Sequence, residues 1–123
     1  MISILNHRFN NIKKNLFPRW DINHQWEITN NNERIFEISD YLNMGFLGYC
    51  EKKTKTIFLN LHEDDWKIDM LIVHEICHTF RNCSDHGKLW NNKMIKVSDR
   101  CDKLKNYRLA DQIKHELENY ELV

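Results

Sequence analysis

The sequence predicts an α+β domain, on three observations: an N-terminal stretch with apolar residues at helical spacing, a middle third of short β-rich runs, and a long apolar stretch carrying two histidines and a glutamate. From Ile4 to Leu16 the residues Leu5, Phe9, Ile12 and Leu16 recur every three or four positions, and Pro18 stops the helix they predict. Between Gln25 and Asn60 four runs read as strands: Trp26 to Thr29, Arg34 to Ile38, Phe46 to Cys50 and Thr56 to Leu59. Asn30 to Asn32, Asn43 to Gly45 and Glu51 to Lys53 supply the turns. Connections this short permit hairpins and not crossovers, so the expected sheet is small and mainly antiparallel. Glu63, Asp64 and Asp65 suit the positive end of a helix dipole, which places the central helix from about Asp64 to Arg81. Its Met70, Leu71, Ile72 and Val73 are apolar in succession, so most of its circumference must be covered by protein. After a break at Asn82 to Gly87, Leu89, Trp90, Met94 and Val97 predict a further helix. Leu104, Tyr107, Ala110, Ile113, Leu117 and Tyr120 then form the stripe of a last helix within Asp102 to Leu122.

A chain of 123 residues fits one domain with its own hydrophobic core, so residues 1–123 are read as a single unit. Lys and Arg total 18 and Asp and Glu total 18, which excludes a global charge bias towards nucleic acid or an anionic membrane. Cys50, Cys77, Cys83 and Cys101 form no C-x-x-C pair, which excludes a zinc ribbon or thioredoxin-type motif built from neighbours and leaves free thiols. Met1 to Asn15 shows no secretory leader, and no window reaches the roughly 20 apolar residues of a membrane span. The expected setting is the cytoplasm, or the nucleus or nucleoid, with no secretion and no membrane partner. One stretch departs from neutrality: Lys88, Lys93, Lys96, Arg100, Lys103, Lys105 and Arg108 stand against Asp99 and Asp102. A solvated helix face is the plain reading of this 88–108 segment, and a groove for a DNA backbone is the other.

His74-Glu75-Ile76-Cys77-His78 carries the chemistry. Residues four apart on a helix lie one turn above each other, so His74 and His78 can converge on one ion from a rigid element. Glu75, about 100° around the helix, is turned away from joining both as a ligand but can reach a water at an open coordination position as general base. The match is only suggestive in a chain with 7 histidines, but its setting adds weight. Burying two histidines and a glutamate within an apolar run is costly without a partner such as a metal. A catalytic zinc site takes three protein ligands, and His86 is the expected third, reached through a seven-residue turn that Asn82 and Ser84 permit, with Gly87 allowing close backbone approach. Glu116 or Glu118 from the last helix is the rival. Trp90, one turn on, is expected to pack beneath the site. Cys83, between ligands, carries the separate hypothesis of a thiolate that silences the open zinc position. Tyr107, Arg108, His115 and Tyr120 are chemically able to stabilise an oxyanion, and the sequence does not choose among them.

The stretch HEICHTFRNCSDHGKLW resembles the SprT-like zinc metallopeptidases, the family that includes Spartan, where H-E-x-x-H is followed by a histidine in an H-G-x-x-(F/W) segment. The run from Gly48 to Asn60 is similar to that family's strand before its active-site helix, so the resemblance covers about residues 46 to 92. It implies a zincin-like minimal metalloprotease fold, one Zn2+ held by His74, His78 and His86, and Glu75 as catalytic acid and base. It further implies hydrolysis of peptide bonds in proteins, in its best-known members of proteins crosslinked to DNA. The cysteine zinc ribbon that many members carry has no counterpart here, where Cys101 is the only cysteine in the final quarter. A catalytically silent zinc-binding scaffold, a DNA-binding module on the same fold and a zinc hydrolase of non-peptide amides are the alternatives.

Overall fold

The computed structural model describes residues 3–42 and 45–120. It is an α+β fold of five helices and one three-stranded sheet among the described residues. The first helix, α1 (Ile4–Leu16), starts where the Ser3 hydroxyl accepts the Asn6 N–H at 3.1 Å, and it buries the expected Leu5, Phe9, Ile12 and Leu16. Lys13 is buried with them, because in the following loop the Asp21 carboxylate accepts from its Nζ at 2.7 Å. Trp20 from that loop packs on Phe9, and Trp26 packs on Trp20.

Strand β1 (Glu27–Thr29) leads into α2 (Asn32–Leu42), and then come β2 (Gly48–Glu51) and β3 (Thr56–Leu59). The run Arg34 to Ile38, expected as a strand, is therefore helix. Asn31 caps it, its side-chain oxygen accepting from the N–H groups of Glu33 and Arg34 at 3.0 and 3.3 Å. Ile35, Ile38 and the partly buried Leu42 then share one face, which packs on Phe58. The sheet order is β1-β3-β2, with β1 parallel and β2 antiparallel to β3. The expectation of a mainly antiparallel sheet fails for this reason: α2, counted as a strand, supplies the length of chain that a crossover needs. Of the expected turns, Glu51 to Lys53 joins β2 to β3, whereas Asn43 lies outside the described residues. Ile57 and Leu59 join the main core and Phe58 faces α2, so the central strand is buried on both faces.

Helix α3 (Ile68–His78) buries ten of its eleven residues, all but Asp69. It starts later than the acidic run suggests, because Asp65 turns its carboxylate back onto the Lys67 N–H at 2.8 Å and forms a turn of its own. It ends earlier, where the Thr79 hydroxyl bonds the Ile76 carbonyl at 2.6 Å and Asn82 takes a positive φ of 62°. Helix α4 (Lys88–Lys103) runs on past Val97, and α5 (Tyr107–Glu118) begins at Asn106, whose side chain accepts the Leu109 N–H at 3.4 Å. The expected stripe from Leu104 is thus cut: Leu104 and Tyr107 are exposed, and Leu109, Ala110 and Ile113 bury the inner face of α5. No helix among the described residues is long and apolar enough to cross a membrane.

Candidate metal centre

The rigid part of the site is α3, which is held on all sides and so presents His74 and His78 from a fixed backbone. His86 comes from the loop before α4. The three imidazoles meet: ring centroids are 4.9, 5.0 and 4.8 Å apart, and the ring planes cross at 66°, 68° and 60°, like the blades of a propeller. His86 Nε2 lies 3.1 Å from His74 Nε2 and 3.2 Å from His78 Nε2. Ligand nitrogens about 2.0–2.1 Å from one tetrahedral ion lie roughly 3.3 Å apart, so these three residues can hold a metal ion.

The surroundings prepare the nitrogens for that role. His78 Nδ1 lies 2.7 Å from the Cys83 carbonyl, which can only accept, so the proton is assigned to Nδ1 and the Nε2 lone pair faces the centre. His74 Nδ1 lies 3.2 Å from Glu116 Oε1. The contact is not aligned as a hydrogen bond, yet Nδ1 is buried and has no other partner, so this carboxylate is its counter-group. Burial, together with the neighbouring imidazoles, lowers His86 and holds His78 down at about 4 despite the Cys83 hydrogen bond. Rings that resist protonation keep lone pairs for a cation.

Glu75 is only 4% exposed, and its Oε2 lies 3.8 Å from His74 Nε2. It is beside the nitrogen triangle and not a corner of it. Burial pushes its carboxyl up to about 7, with Glu116 adding to the rise and His74 opposing it. A cation at the triangle would draw that value down again. A carboxylate placed so could act as a proton acceptor beside a metal that the three histidines would hold.

Trp90 forms the floor. It is fully buried, stacks on His78 at 5.5 Å and 18°, and directs its indole N–H to the His74 carbonyl at 3.3 Å. Tyr120 covers the other side of the loop histidine, stacked on His86 at 3.9 Å and 27°. Burial raises the Tyr120 hydroxyl, with the Glu116 and Glu75 carboxylates contributing. Of the four oxyanion candidates, Tyr120 and His115 line the cavity and Tyr107 and Arg108 do not.

Other sequence readings change place. Glu116, weighed as a rival ligand, stands behind His74 as the partner of Nδ1, and the exposed side chain of Glu118 faces His115. The Cys83 thiol is buried and points to the Arg81 carbonyl at 3.5 Å, so this residue serves His78 through its backbone. Gly87 donates its N–H to Asp85 Oδ1 at 3.1 Å and caps α4. Gly48 was missed. The only signal for it was a glycine inside a strand pattern, which marks a close approach without naming the neighbour.

The site opens into a cavity of about 1350 Å3 between β2 and the turn after it on one side and α3 and α5 on the other. None of the seven basic residues from Lys88 to Arg108 lines it. Lys93 lies over the Phe80 ring, and Arg100 bonds the Leu16 carbonyl at 3.1 Å. No family model, curated protein or solved structure matches this chain.

Proposed function

We propose that this chain is a zinc-dependent metallopeptidase of SprT-like kind, hydrolysing peptide bonds in protein substrates. The observation that carries the reading is the meeting of three imidazole nitrogens, with Glu75 beside them, on the wall of one cavity. Three nitrogen donors and no thiolate suit zinc with one coordination position open. When bound, zinc supplies Lewis acidity towards a water and towards a carbonyl.

The protein's own groups do the rest. Glu75 takes the proton of the attacking water and delivers it to the departing amine. Glu116 and the Cys83 carbonyl hold the His74 and His78 rings in the required orientation. Trp90 keeps water from the buried side. A protein substrate fits the surroundings: the cavity exceeds the roughly 300–1,000 Å3 of ordinary small-molecule pockets, and edge strand β2 offers its backbone to an extended chain along it. The four free thiols accord with a reducing compartment, the cytoplasm or the nucleus or nucleoid. A role on DNA-associated proteins rests on the sequence resemblance.

The test is cleavage of casein, and of the chain itself, by zinc-loaded protein with and without single-stranded DNA. Glu75→Gln is expected to keep the metal and lose hydrolysis. Full hydrolysis by that variant would overturn the mechanism, and bound zinc without cleavage under any of these conditions would favour the silent scaffold.

A further inference from the structure

We infer that Gly48 is a positioning residue for Glu75: the side chain missing at this point of β2 is the space in which the Glu75 carboxylate rests. The kinetic part of this inference rests on the peptidase reading above; the packing part does not.

A Cβ built on Gly48 would lie 2.8 Å from Glu75 Oε2, 3.1 Å from its Cδ and 3.2 Å from its Cγ. All three nearest atoms belong to the one carboxylate side chain that the chemistry needs. The other two glycines differ, for Gly45 has nothing within 4 Å and the three atoms nearest a Cβ on Gly87 all belong to Asp85. Backbone conformation does not call for glycine here, since no glycine among the described residues has a positive φ. Strand propensity argues against it. What remains is room.

The strand cannot supply that room by moving. Gly48 pairs with Leu59 in the antiparallel ladder, and the adjacent Leu47 carbonyl accepts the Asn60 N–H at 2.7 Å. Leu59 is fully buried in the main core. The yielding part is the flexible end of Glu75, which would have to withdraw by roughly 0.6 Å to reach ordinary contact distance. The fold tolerates such a shift, whereas a general base does not: misplacement of about 1 Å costs on the order of a hundredfold in rate. The three nearest atoms include none from the imidazoles, which sit on α3 and the following loop, so metal binding is expected to survive the change.

The experiment is Gly48→Ala in the full chain. The expected variant folds, carries one zinc per chain and loses roughly ten- to hundredfold in kcat with KM little changed. Its zinc-loaded crystal structure should show the Glu75 carboxylate displaced from its wild-type position. Introduced into Glu75→Gln, which has no base to misplace, the same substitution should leave residual hydrolysis unchanged. Wild-type kcat in Gly48→Ala, or a carboxylate that has not moved, would overturn the inference. If the wild-type protein hydrolyses nothing, the crystallographic comparison alone decides the packing. Should Gly48→Ala fail to fold, Gly48→Ala/Glu75→Ala removes the three obstructing atoms and is expected to fold; its failure would also overturn the inference.

Discussion

Where α1 meets the loop after it, Lys13 and Asp21 bury opposite charges against each other, and the carboxylate also accepts the N–H groups of Gln25 and Trp26 at 2.7 and 3.1 Å. At the end of α3, His74 and His78 are buried and His86 half-buried, with their ring nitrogens drawn together around a common centre. The first cluster is complete with its own atoms. The second has an outer ring of partners, Glu116 and the Cys83 carbonyl, while its inner nitrogens have one another, the Glu75 carboxylate 3.8 Å from His74 Nε2, and the cavity. Buried polar groups are ordinarily satisfied, so the contrast separates a structural knot from a cluster that can hold a metal ion.

The largest expected effect sharpens the second cluster. Glu75→Gln should lower hydrolysis by about 10²–10⁴-fold in single-turnover assays while zinc content stays at one per chain. Next comes the first cluster. Lys13→Met leaves a buried carboxylate without its cation and is expected to cost about 3 kcal/mol in denaturant unfolding, with zinc binding unchanged. Asp21 also predicts how acid acts on the fold. Burial raises its carboxyl, but hydrogen bonds from Lys13, Gln25 and Trp26 outweigh this and leave it below its ordinary 3.8. A depressed carboxyl stabilises the fold above about pH 4 and loses that contribution as pH falls through the folded value. Asp21→Asn should therefore flatten the acid limb of stability below about pH 4. Equal slopes in the two proteins would erase the distinction between the clusters.

Smaller still is the effect of the outer ring. Glu116→Ala is expected to weaken zinc binding by about 10–100-fold in chelator competition, since it frees His74 Nδ1 of its counter-group. At the bottom of the scale, Cys83→Ser should leave hydrolysis the same under oxidising and reducing conditions, because the thiol is buried against the Arg81 carbonyl. Redox-dependent activity that vanishes in this variant would restore the idea of a thiolate at the centre.

The candidate site was more legible in the sequence than the sheet around it, and the reasons are local. His74 and His78 are tied by helix periodicity alone, and a short turn brings in His86, so spacing suffices to place them. The parallel pairing of β1 with β3 joins Ile28 to Ile57 across 29 positions, and nothing in either run states its partner. Arg34 to Ile38 has strand composition over five residues. Its helical face shows only when Leu42 is included and Asn31 is taken as a cap instead of a turn residue. Lys105, with a positive φ of 63°, divides α4 from α5 without a glycine or proline to announce it. Glu116 could be recognised as acidic and close, but whether it binds the ion or the ligand behind it depends on a distance the sequence does not hold.

X-ray absorption at the metal edge of the zinc-loaded protein tests the central claim most directly. The arrangement of His74, His78 and His86 predicts one zinc per chain with three nitrogen neighbours at about 2.0–2.1 Å and no sulfur, and His86→Ala should remove one of them. Substoichiometric metal, sulfur in the first shell, or a spectrum unchanged by His86→Ala would contradict it.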